Sequence, residues 1–382
     1  MTSDIHMDEL VELRRYIHSF PEVSGKEVNT ARTIKGFLEK YPPDEMIEGI
    51  GGEGVLLRYD GEDDGPGVLF RAELDALPIQ EKTGLSYASS RQGNAHLCGH
   101  DGHMSILIGL ARSFSEDRPK SGTAWLIFQP AEETGEGAKQ VLQDQKFDIQ
   151  PDFVFALHNL PGYPLGKVLY RDGSFTMAVH TVTLRINGHT SHAAEPELGR
   201  SPVSVIREML DFAGSMENRN VSDDGFQLFT PVHVQVAEKA FGTSPGVGEI
   251  SITIRCRSNE RMQDLEVKTE QMAKSLADKH NVEVDIEWSE HFAACENDRS
   301  AVEHLKNAVD KAGVEMEAVD NPFRWGEDFG LFTKAFKGCL FGLGSGKDQP
   351  SLHHPKYDFP DELINPGVEL FMSIYDTIQE KR

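Results

Sequence analysis

Residues 123–159 read TAWLIFQPAEETGEGAKQVLQDQKFDIQPDFVFALHN, two apolar runs separated by a polar segment. TAWLIFQP (123–130) and DFVFALHN (152–159) have the length and composition of buried strands, and EGAKQVLQ (136–143) between them has helical spacing. Apolar residues recur at helical spacing over 8–41 and in MSILIGLARSF (104–114), and strand-like runs lie at 54–59 and 67–78. The alternation of strands and helices predicts an α/β fold with a mostly parallel central sheet and helices on both faces.

From about His180 the pattern of elements changes. A strand (180–188), a helix (202–216), two strands (227–238 and 249–257), a helix (265–280) and a strand (282–290) follow in turn. The order βαββαβ is typical of a ferredoxin-like α+β domain. We therefore expect an inserted domain at 179–290, which serves as a lid and a dimerisation domain. The metal-binding catalytic domain then comprises 1–178 and 291–382.

Charge and composition exclude several classes of protein. The chain has 382 residues, with 38 Lys and Arg against 62 Asp and Glu, which gives a formal net charge of −24. This charge argues against nucleic acid or an anionic membrane as a partner. No apolar run approaches the roughly 20 residues of a membrane span, and the N-terminal residues lack the apolar segment of a secretory signal. We expect a cytoplasmic protein.

Residues 94–104, NAHLCGHDGHM, place three histidines, a cysteine and an aspartate within eleven positions. Cys98 and His100 are two residues apart at the end of an extended segment, so their side chains can point the same way. Asp101 is then positioned to cap the helix that follows. A helix cap beside incidental histidines explains the same residues, so this motif alone leaves metal binding open.

Further candidate ligands follow the predicted strands. Glu132 and Glu133 come directly after a buried strand, where two adjacent carboxylates are unfavourable unless a cation compensates them. Because adjacent side chains diverge, one carboxylate can bind metal while the other acts as a general base. A solvated turn is the alternative. His158 ends the next buried strand, and His353 and His354 lie in a loop near the C-terminus.

Eight motifs in order resemble the M20 metallopeptidase superfamily, and they cover the chain from His18 to Asp361. The cysteine form CGHD resembles the amidohydrolase branch of that superfamily, which contains N-acyl-amino-acid hydrolases, hippurate hydrolases and N-acetyldiaminopimelate deacetylases. The motifs are HSFPEVSGKE, RAELDALP, CGHDGH, QPAEETGEGA, LHNLPG, GHTSHAAEP, GEDF and LHHPKYDF.

The resemblance implies a metal centre with Glu132 as the general base and His354 at a variable position. Five donors exceed what one tetrahedral zinc ion accepts, whereas two divalent ions would use them all. Zinc or manganese is expected, and the donor types also permit cobalt or nickel. The implied ligands are Cys98, His100, Glu133, His158 and His353.

Other residues are expected to support these ligands or to contact substrate. Asp75 is expected to orient a ligand and Asp101 to lie behind the cluster, while Glu73 stands where the branch usually has Asp. His192, in GHTSHAAEP, matches the family histidine that donates to the developing oxyanion. In many dimeric members that histidine reaches the partner's active site, so we expect a homodimer formed through the inserted domain.

Two positions bear on recognition of the substrate. Arg255, in the TIR motif, matches a family arginine and has the geometry to bind a carboxylate with two hydrogen bonds. Gly242, in FGTSP, replaces the asparagine of the usual FNVIP segment, which is expected to contact substrate. A glycine supplies no amide side chain, so recognition of the substrate carboxylate is expected to differ here.

The predicted function is that of a dinuclear metal-dependent hydrolase of the aminoacylase or deacetylase type. Its substrates would be small N-acylated amino acids or related amides. A dipeptidase or aminopeptidase of the same superfamily is the nearest alternative, and a non-catalytic metal-binding sensor on this fold is another. Because Glu132 and all five ligands are present, the sequence favours an enzyme over a sensor.

Overall fold

The computed structural model of the protein describes residues 2–237 and 239–380. The described chain forms two units. Unit 1 comprises the described residues of Met1–Phe175, Cys295–Asp320 and Glu327–Arg382, and unit 2 comprises those of Thr176–Ala294 and Asn321–Gly326. Met1, Glu238, Lys381 and Arg382, which the expected domains include, lie outside the described residues.

The segment Asn321–Gly326 was expected within the catalytic domain, but it belongs to unit 2. The backbone N–H of Met177 donates to the carbonyl of Phe323, and the Arg324 guanidinium lies 5.5 Å from the centre of the Phe226 ring. These contacts hold the segment against residues of the inserted domain. A segment of this length is too short to show a hydrophobic period in the sequence, so the sequence could not assign it to the inserted domain.

Unit 1 alternates strands and helices as predicted, and the helical pattern over 8–41 divides into two helices. Its elements before the insertion are α1 (Thr2–Ser19), α2 (Val28–Leu38), β1 (Glu45–Ile50), β2 (Gly54–Asp60), β3 (Asp63–Glu73), α3 (His100–Glu116), β4 (Ser121–Gln129), α4 (Gly137–Gln143), β5 (Phe153–Leu160), β6 (Val168–Tyr170) and β7 (Gly173–Ser174).

Unit 2 follows. Its elements are β8 (Ala178–Asn187), β9 (Ser191–His192), a short 3-10 helix (Pro196–Leu198), α5 (Val203–Met216), β10 (Gln227–Val236), β11 (Thr243–Ser244), β12 (Val247–Cys256), α6 (Asn259–His280) and β13 (Glu283–Phe292). Unit 1 then resumes with β14 (Glu296–Asn297), α7 (Arg299–Ala312), β15 (Met316–Ala318), α8 (Gly330–Ala335), β16 (Gly338–Gly344), a 3-10 helix (Asp361–Leu363) and α9 (Ile364–Glu380).

The sheet of unit 1 has eight strands in the order β1-β2-β4-β3-β5-β16-β6-β15. The four central strands, β4, β3, β5 and β16, are parallel, and antiparallel pairs occur toward the edges. The ring centre of Phe70, on β3, lies 4.9 Å from that of Phe371, on α9. The guanidinium of Arg71, the next residue of β3, instead faces the ring of Phe329 beside α8. Successive strand residues point to opposite faces, so helices cover both faces of this sheet, as predicted.

The sheet of unit 2 has the order β10-β12-β8-β13, and each neighbouring pair is antiparallel. In terms of the four strands of the βαββαβ pattern this is the order 2-3-1-4, which confirms the ferredoxin-like prediction. Helices α5 and α6 pack on this sheet and share its apolar core. Across residues 2–237 and 239–380, no helix combines the length and apolarity that a membrane crossing requires.

Candidate metal centre

The turn after β4 carries two adjacent carboxylates, Glu132 and Glu133. Ala131 has a φ of 52°, a left-handed conformation that is uncommon for a residue other than glycine. Its N–H donates to Glu27 Oε1 at 2.9 Å, and the N–H of Glu133 donates to Asp75 Oδ2 at 2.9 Å. These bonds fix the turn, and Glu132, only 5% exposed, is buried beside Glu133.

Cys98 comes shortly before α3, and His100 is the first residue of that helix. Gly99 between them has a φ of 95°, and a Cβ at this position would lie 2.4 Å from Asn159 Oδ1, so only glycine fits. His100 Nδ1 lies 3.0 Å from the carbonyl oxygen of Asp75. This contact fixes the ring and directs its other nitrogen away from Asp75.

The second nitrogen of His100 is a buried atom that lacks a hydrogen-bond partner. Nε2 lies 3.8 Å from Glu132 Oε2 and 3.9 Å from Glu133 Oε1. A buried nitrogen that faces two carboxylates without bonding to either is placed as a metal ligand would be.

His158 and His353 complete the cluster from two other segments. His158, on β5, has Nδ1 3.0 Å from the carbonyl oxygen of Asn159 and Nε2 3.5 Å from Cys98 Sγ. His353 has a φ of 64°, and its Nε2 lies 3.5 Å from Glu133 Oε2. His354 points elsewhere, and its Nδ1 accepts the N–H of Lys356 at 3.2 Å.

The five predicted ligands therefore converge. Within each of three overlapping groups, one possible ligand atom per residue lies within 4.8 Å of the others. A thiol, three imidazoles and a carboxylate, together with the unpartnered His100 nitrogen, fit divalent metal ions. The groups are Cys98–His100–His158, Cys98–Glu133–His353 and His100–Glu132–Glu133.

The ionisation of these residues also favours a cation. Burial, with repulsion from Glu327 and Glu133, raises the pKa of Glu132 well above its usual range. Burial raises the pKa of Glu133 to about 7, against the opposing effect of His100. Burial and the nearby glutamates likewise raise the pKa of the Cys98 thiol. A divalent cation among these groups would stabilise their ionised forms.

His103, the third histidine of the NAHLCGHDGHM motif, is held in a different way. Its Nδ1 lies 2.7 Å from Glu73 Oε2, and its Nε2 accepts the backbone N–H of Asn159 at 3.3 Å. Both ring nitrogens are thus engaged by protein groups. Although Glu73, His100 and His103 also lie close together, His103 is better explained as a structural residue that ties α3 to β3 and β5.

The expectation that Asp101 caps α3 is wrong. The N-cap residue is Gly99, no side chain caps the helix, and Asp101 is the second residue of the first turn. Its fully buried carboxylate instead accepts from Arg14 Nη1 at 2.9 Å and lies 2.9 Å from His18 Nδ1. Burial alone would lower the pKa of His18, but Asp101 and Glu81 outweigh it and raise that pKa to about 9.

Sequence reasoning missed a buried ion cluster behind the site. Arg71, on β3, pairs with Glu73, with Glu327 at 3.0 Å and with Asp328 at 2.6 Å, and all four side chains are at most 1% exposed. Asp328 also accepts the N–H of Ala138 at 2.8 Å, which anchors α4. The residues lie in the motifs RAELDALP and GEDF, but 256 positions separate Arg71 from Glu327, so spacing alone gives no signal.

The three remaining candidates lie in unit 2. His192, on β9, pairs with Thr243 of β11, and the N–H of Ala193 donates to the carbonyl of Gly242 at 3.0 Å. His192 and Gly242 therefore share one loop region. Arg255 lies near the far end of β12, eight residues from Val247, which is roughly 26 Å along an extended strand.

An α/β sheet that collects thiol, imidazole and carboxylate donors at the ends of its strands is typical of metal-dependent hydrolases. A family comparison narrows this class. Residues 69–377 match the model of peptidase family M20/M25/M40, and the chain belongs to this family. The resemblance inferred from the motifs is confirmed.

Individual relatives match over nearly the whole chain. An N-acetylcysteine deacetylase from Bacillus subtilis is 29% identical over 96% of this chain and 95% of its own length. An N-acetyldiaminopimelate deacetylase from Listeria monocytogenes is 28% identical over 97% and 100%. Among solved structures, the Bacillus subtilis YxeP protein, described as a dinuclear metal-binding peptidase from the M20 family, has a TM-score of 0.84 and 26% identity over 99% and 100% of the two chains.

Proposed function

We propose that the protein is a metal-dependent amidohydrolase that removes the acyl group from small N-acylated amino acids. The observation that carries the proposal is the convergence of five ligand-type side chains beside the buried carboxylate of Glu132. The relatives named as deacetylases support the substrate class, because they align over nearly the full chain.

Two divalent ions would be held by Cys98, His100, Glu133, His158 and His353. Such ions polarise an amide carbonyl and lower the pKa of water. Asp75 supports this arrangement from behind, since its backbone carbonyl accepts from His100 and its carboxylate accepts the N–H of Glu133. We infer zinc or manganese as the native metal from the mixture of thiol, imidazole and carboxylate donors.

Glu132 would act as the general base. It takes a proton from the attacking water and transfers it to the leaving amine. Glu132 Oε2 lies 3.8 Å from His100 Nε2, whereas Glu133 approaches both His100, at 3.9 Å, and His353, at 3.5 Å. This difference supports the assignment of Glu133 as ligand and Glu132 as base.

His192 would donate a hydrogen bond to the developing oxyanion. The N–H of Ala194 donates to His192 Nδ1 at 3.0 Å, which places the proton of the neutral ring on Nε2. The side chain is exposed, so this donor is accessible to a substrate. Preorganised donors of this type stabilise the transition state of acyl transfer.

A homodimer would let His192 serve a partner's site. His192 and Gly242 lie at one end of the unit 2 sheet and Arg255 near the other, so a substrate that contacts all three would draw them from two copies. The edge strand β10 exposes Val232 and Val234, at 56% and 47%, and supports pairing between copies.

A substrate panel tests the proposed function. Metal is first removed from the enzyme with a chelator, and separate samples are then reconstituted with zinc, manganese, cobalt and nickel. The release of free amino acid is measured from N-acetyl and N-benzoyl amino acids and from dipeptides. We expect hydrolysis of N-acyl amino acids that requires added metal. Faster hydrolysis of dipeptides, or activity that survives removal of metal, would contradict the proposal.

A further inference from the structure

The end of β13 contains a β-bulge that redirects two side chains. Ser289 pairs with Thr181 and Phe292 with Val179, so Glu290 and His291 together stand opposite His180 alone. Glu290 has a φ of 53°, an uncommon conformation for a residue other than glycine. The bulge therefore adds one residue to β13 and strains the backbone at that point.

The extra residue changes which side chain shares a face with His180. In a regular antiparallel pair, residue 290 would lie directly opposite His180 and on the same face. Instead, Glu290 Oε2 accepts from Thr181 Oγ1 at 2.9 Å, on the opposite face of β8. His291 takes the place beside His180, with the two ring centres 4.7 Å apart.

A carboxylate from α6 meets these two imidazoles. Glu266 Oε1 lies 2.7 Å from His180 Nδ1. One possible ligand atom from each of His180, Glu266 and His291 lies within 4.8 Å of the other two, and all three residues are partly buried. The three donors come from β8, α6 and the bulge of β13, so they are held by different elements of one domain.

We propose that unit 2 contains a mononuclear site for a divalent transition metal, with His180, Glu266 and His291 as protein ligands. This site is separate from the cluster of unit 1 and does not depend on its proposed function. Two imidazoles and one carboxylate suit zinc, copper or nickel, and they leave coordination positions for water. Ligand atoms around a tetrahedral zinc ion are about 3.4 Å apart, so small side-chain rotations would close the site.

A bound ion would join α6 to both strands at the end of the sheet. The alternative is a simple ion pair between His180 and Glu266, but an ion pair gives no reason for the strained bulge that brings in His291. The fluorescence of a nearby tryptophan, Trp288, can report on metal binding at this site. The Trp288 ring centre lies 4.7 Å from that of His180, and copper(II) bound to His180 would quench the fluorescence of Trp288.

The first test is a difference in zinc content. Wild-type protein, His291→Ala and Glu266→Gln are equilibrated with buffered excess zinc, and bound zinc per chain is measured by mass spectrometry of the metal. We expect both variants to bind one ion fewer than wild type. The difference in zinc content between variant and wild type does not depend on the number of ions bound in unit 1. A result against the unit 2 site would therefore leave the proposed function untouched, and the two can fail separately.

His280→Ala is the matched control. His280 also faces a carboxylate, with Nε2 3.0 Å from Glu208 Oε1, but Lys279 Nζ binds the same carboxylate at 2.7 Å. This variant should keep the wild-type zinc content. Circular dichroism of each variant verifies that it is folded before its metal content is compared.

Copper(II) titration provides the second measurement. We expect wild-type fluorescence to include a component quenched by about one equivalent of copper and absent from His291→Ala. Trp288→Phe should lack the same component but retain the wild-type zinc content, since all three ligands remain. Wild-type zinc content in folded His291→Ala and Glu266→Gln would overturn the proposal, as would unchanged copper quenching in His291→Ala.

Discussion

Asp75 supports two proposed ligands at once, so Asp75→Asn should weaken metal binding without removing a ligand. Its buried Oδ2 accepts from the N–H of Glu133 at 2.9 Å and from Ser24 Oγ at 2.7 Å. Its Oδ1 lies 3.5 Å from His100 Nδ1. Asparagine has nearly the same shape, so the substitution tests the charge and the hydrogen-bonding pattern rather than the packing.

The expected magnitude follows from these contacts. If the amide oxygen of asparagine still accepts the N–H of Glu133, its NH₂ group faces His100 Nδ1. Both the NH₂ group and the Nδ1–H of His100 are hydrogen-bond donors, so they repel each other. The His100 ring keeps its bond to the backbone carbonyl of residue 75, so it is weakened as a ligand but not released. We expect metal affinity to fall about 10- to 100-fold, which is about 1.4 to 2.7 kcal/mol.

The assay measures enzyme activity against free zinc concentration, set with a competing chelator. The midpoint for Asp75→Asn should shift to higher free zinc by that factor, and activity at saturating zinc should return to near the wild-type value. Ser24→Ala is the control, because it removes one hydrogen bond to the same carboxylate and keeps its charge. An unchanged midpoint in Asp75→Asn, or a larger shift in Ser24→Ala, would refute the supporting role of Asp75.

Three further predictions concern stability and assembly. Arg71→Met leaves three buried carboxylates without their cation, and denaturant unfolding should show a loss of about 3 to 5 kcal/mol; a loss below 1 kcal/mol would contradict this. The raised pKa of His18 should stabilise the fold by up to about 3 kcal/mol below pH 6.5, and this stabilisation should disappear as the pH rises through 9. The difference in unfolding free energy between wild type and His18→Gln should follow that pH course, and a pH-independent difference would count against it. Glu132→Ala and His192→Ala proteins can be mixed so that their subunits exchange at random. About a quarter of all sites should then combine an intact Glu132 with an intact His192 from the partner and recover activity. No recovery is expected if His192 serves its own subunit.

The strand pattern predicted that Glu132 and His158 would lie near each other, because parallel strands bring their carboxyl ends together, whereas the full set of candidate ligands followed from the family resemblance. Apolar runs located β4 and β5; Glu132 follows β4, and His158 lies near the end of β5. The ferredoxin-like unit was predictable for the same reason, since each of its elements has a clear period of its own.

What the sequence did not predict depends on contacts between distant segments. Asp101 is positioned for a helix cap by local spacing, but Arg14, on α1, binds its carboxylate inside the fold. Arg71 and Glu327 are likewise brought together only by the tertiary structure. The bulge at Glu290 shifts a side chain to the other face of β13, and a period-two pattern cannot show such a shift.

Metal content and hydrolysis of Glu132→Gln and Glu133→Gln together test the central claim most directly. Glutamine at residue 132 keeps the size of the side chain but cannot take the proton. The account predicts near wild-type metal content in Glu132→Gln with kcat lower by about 10² to 10⁴, and loss of metal in Glu133→Gln. Metal loss in Glu132→Gln with full retention in Glu133→Gln, or wild-type kcat in Glu132→Gln, would contradict the account.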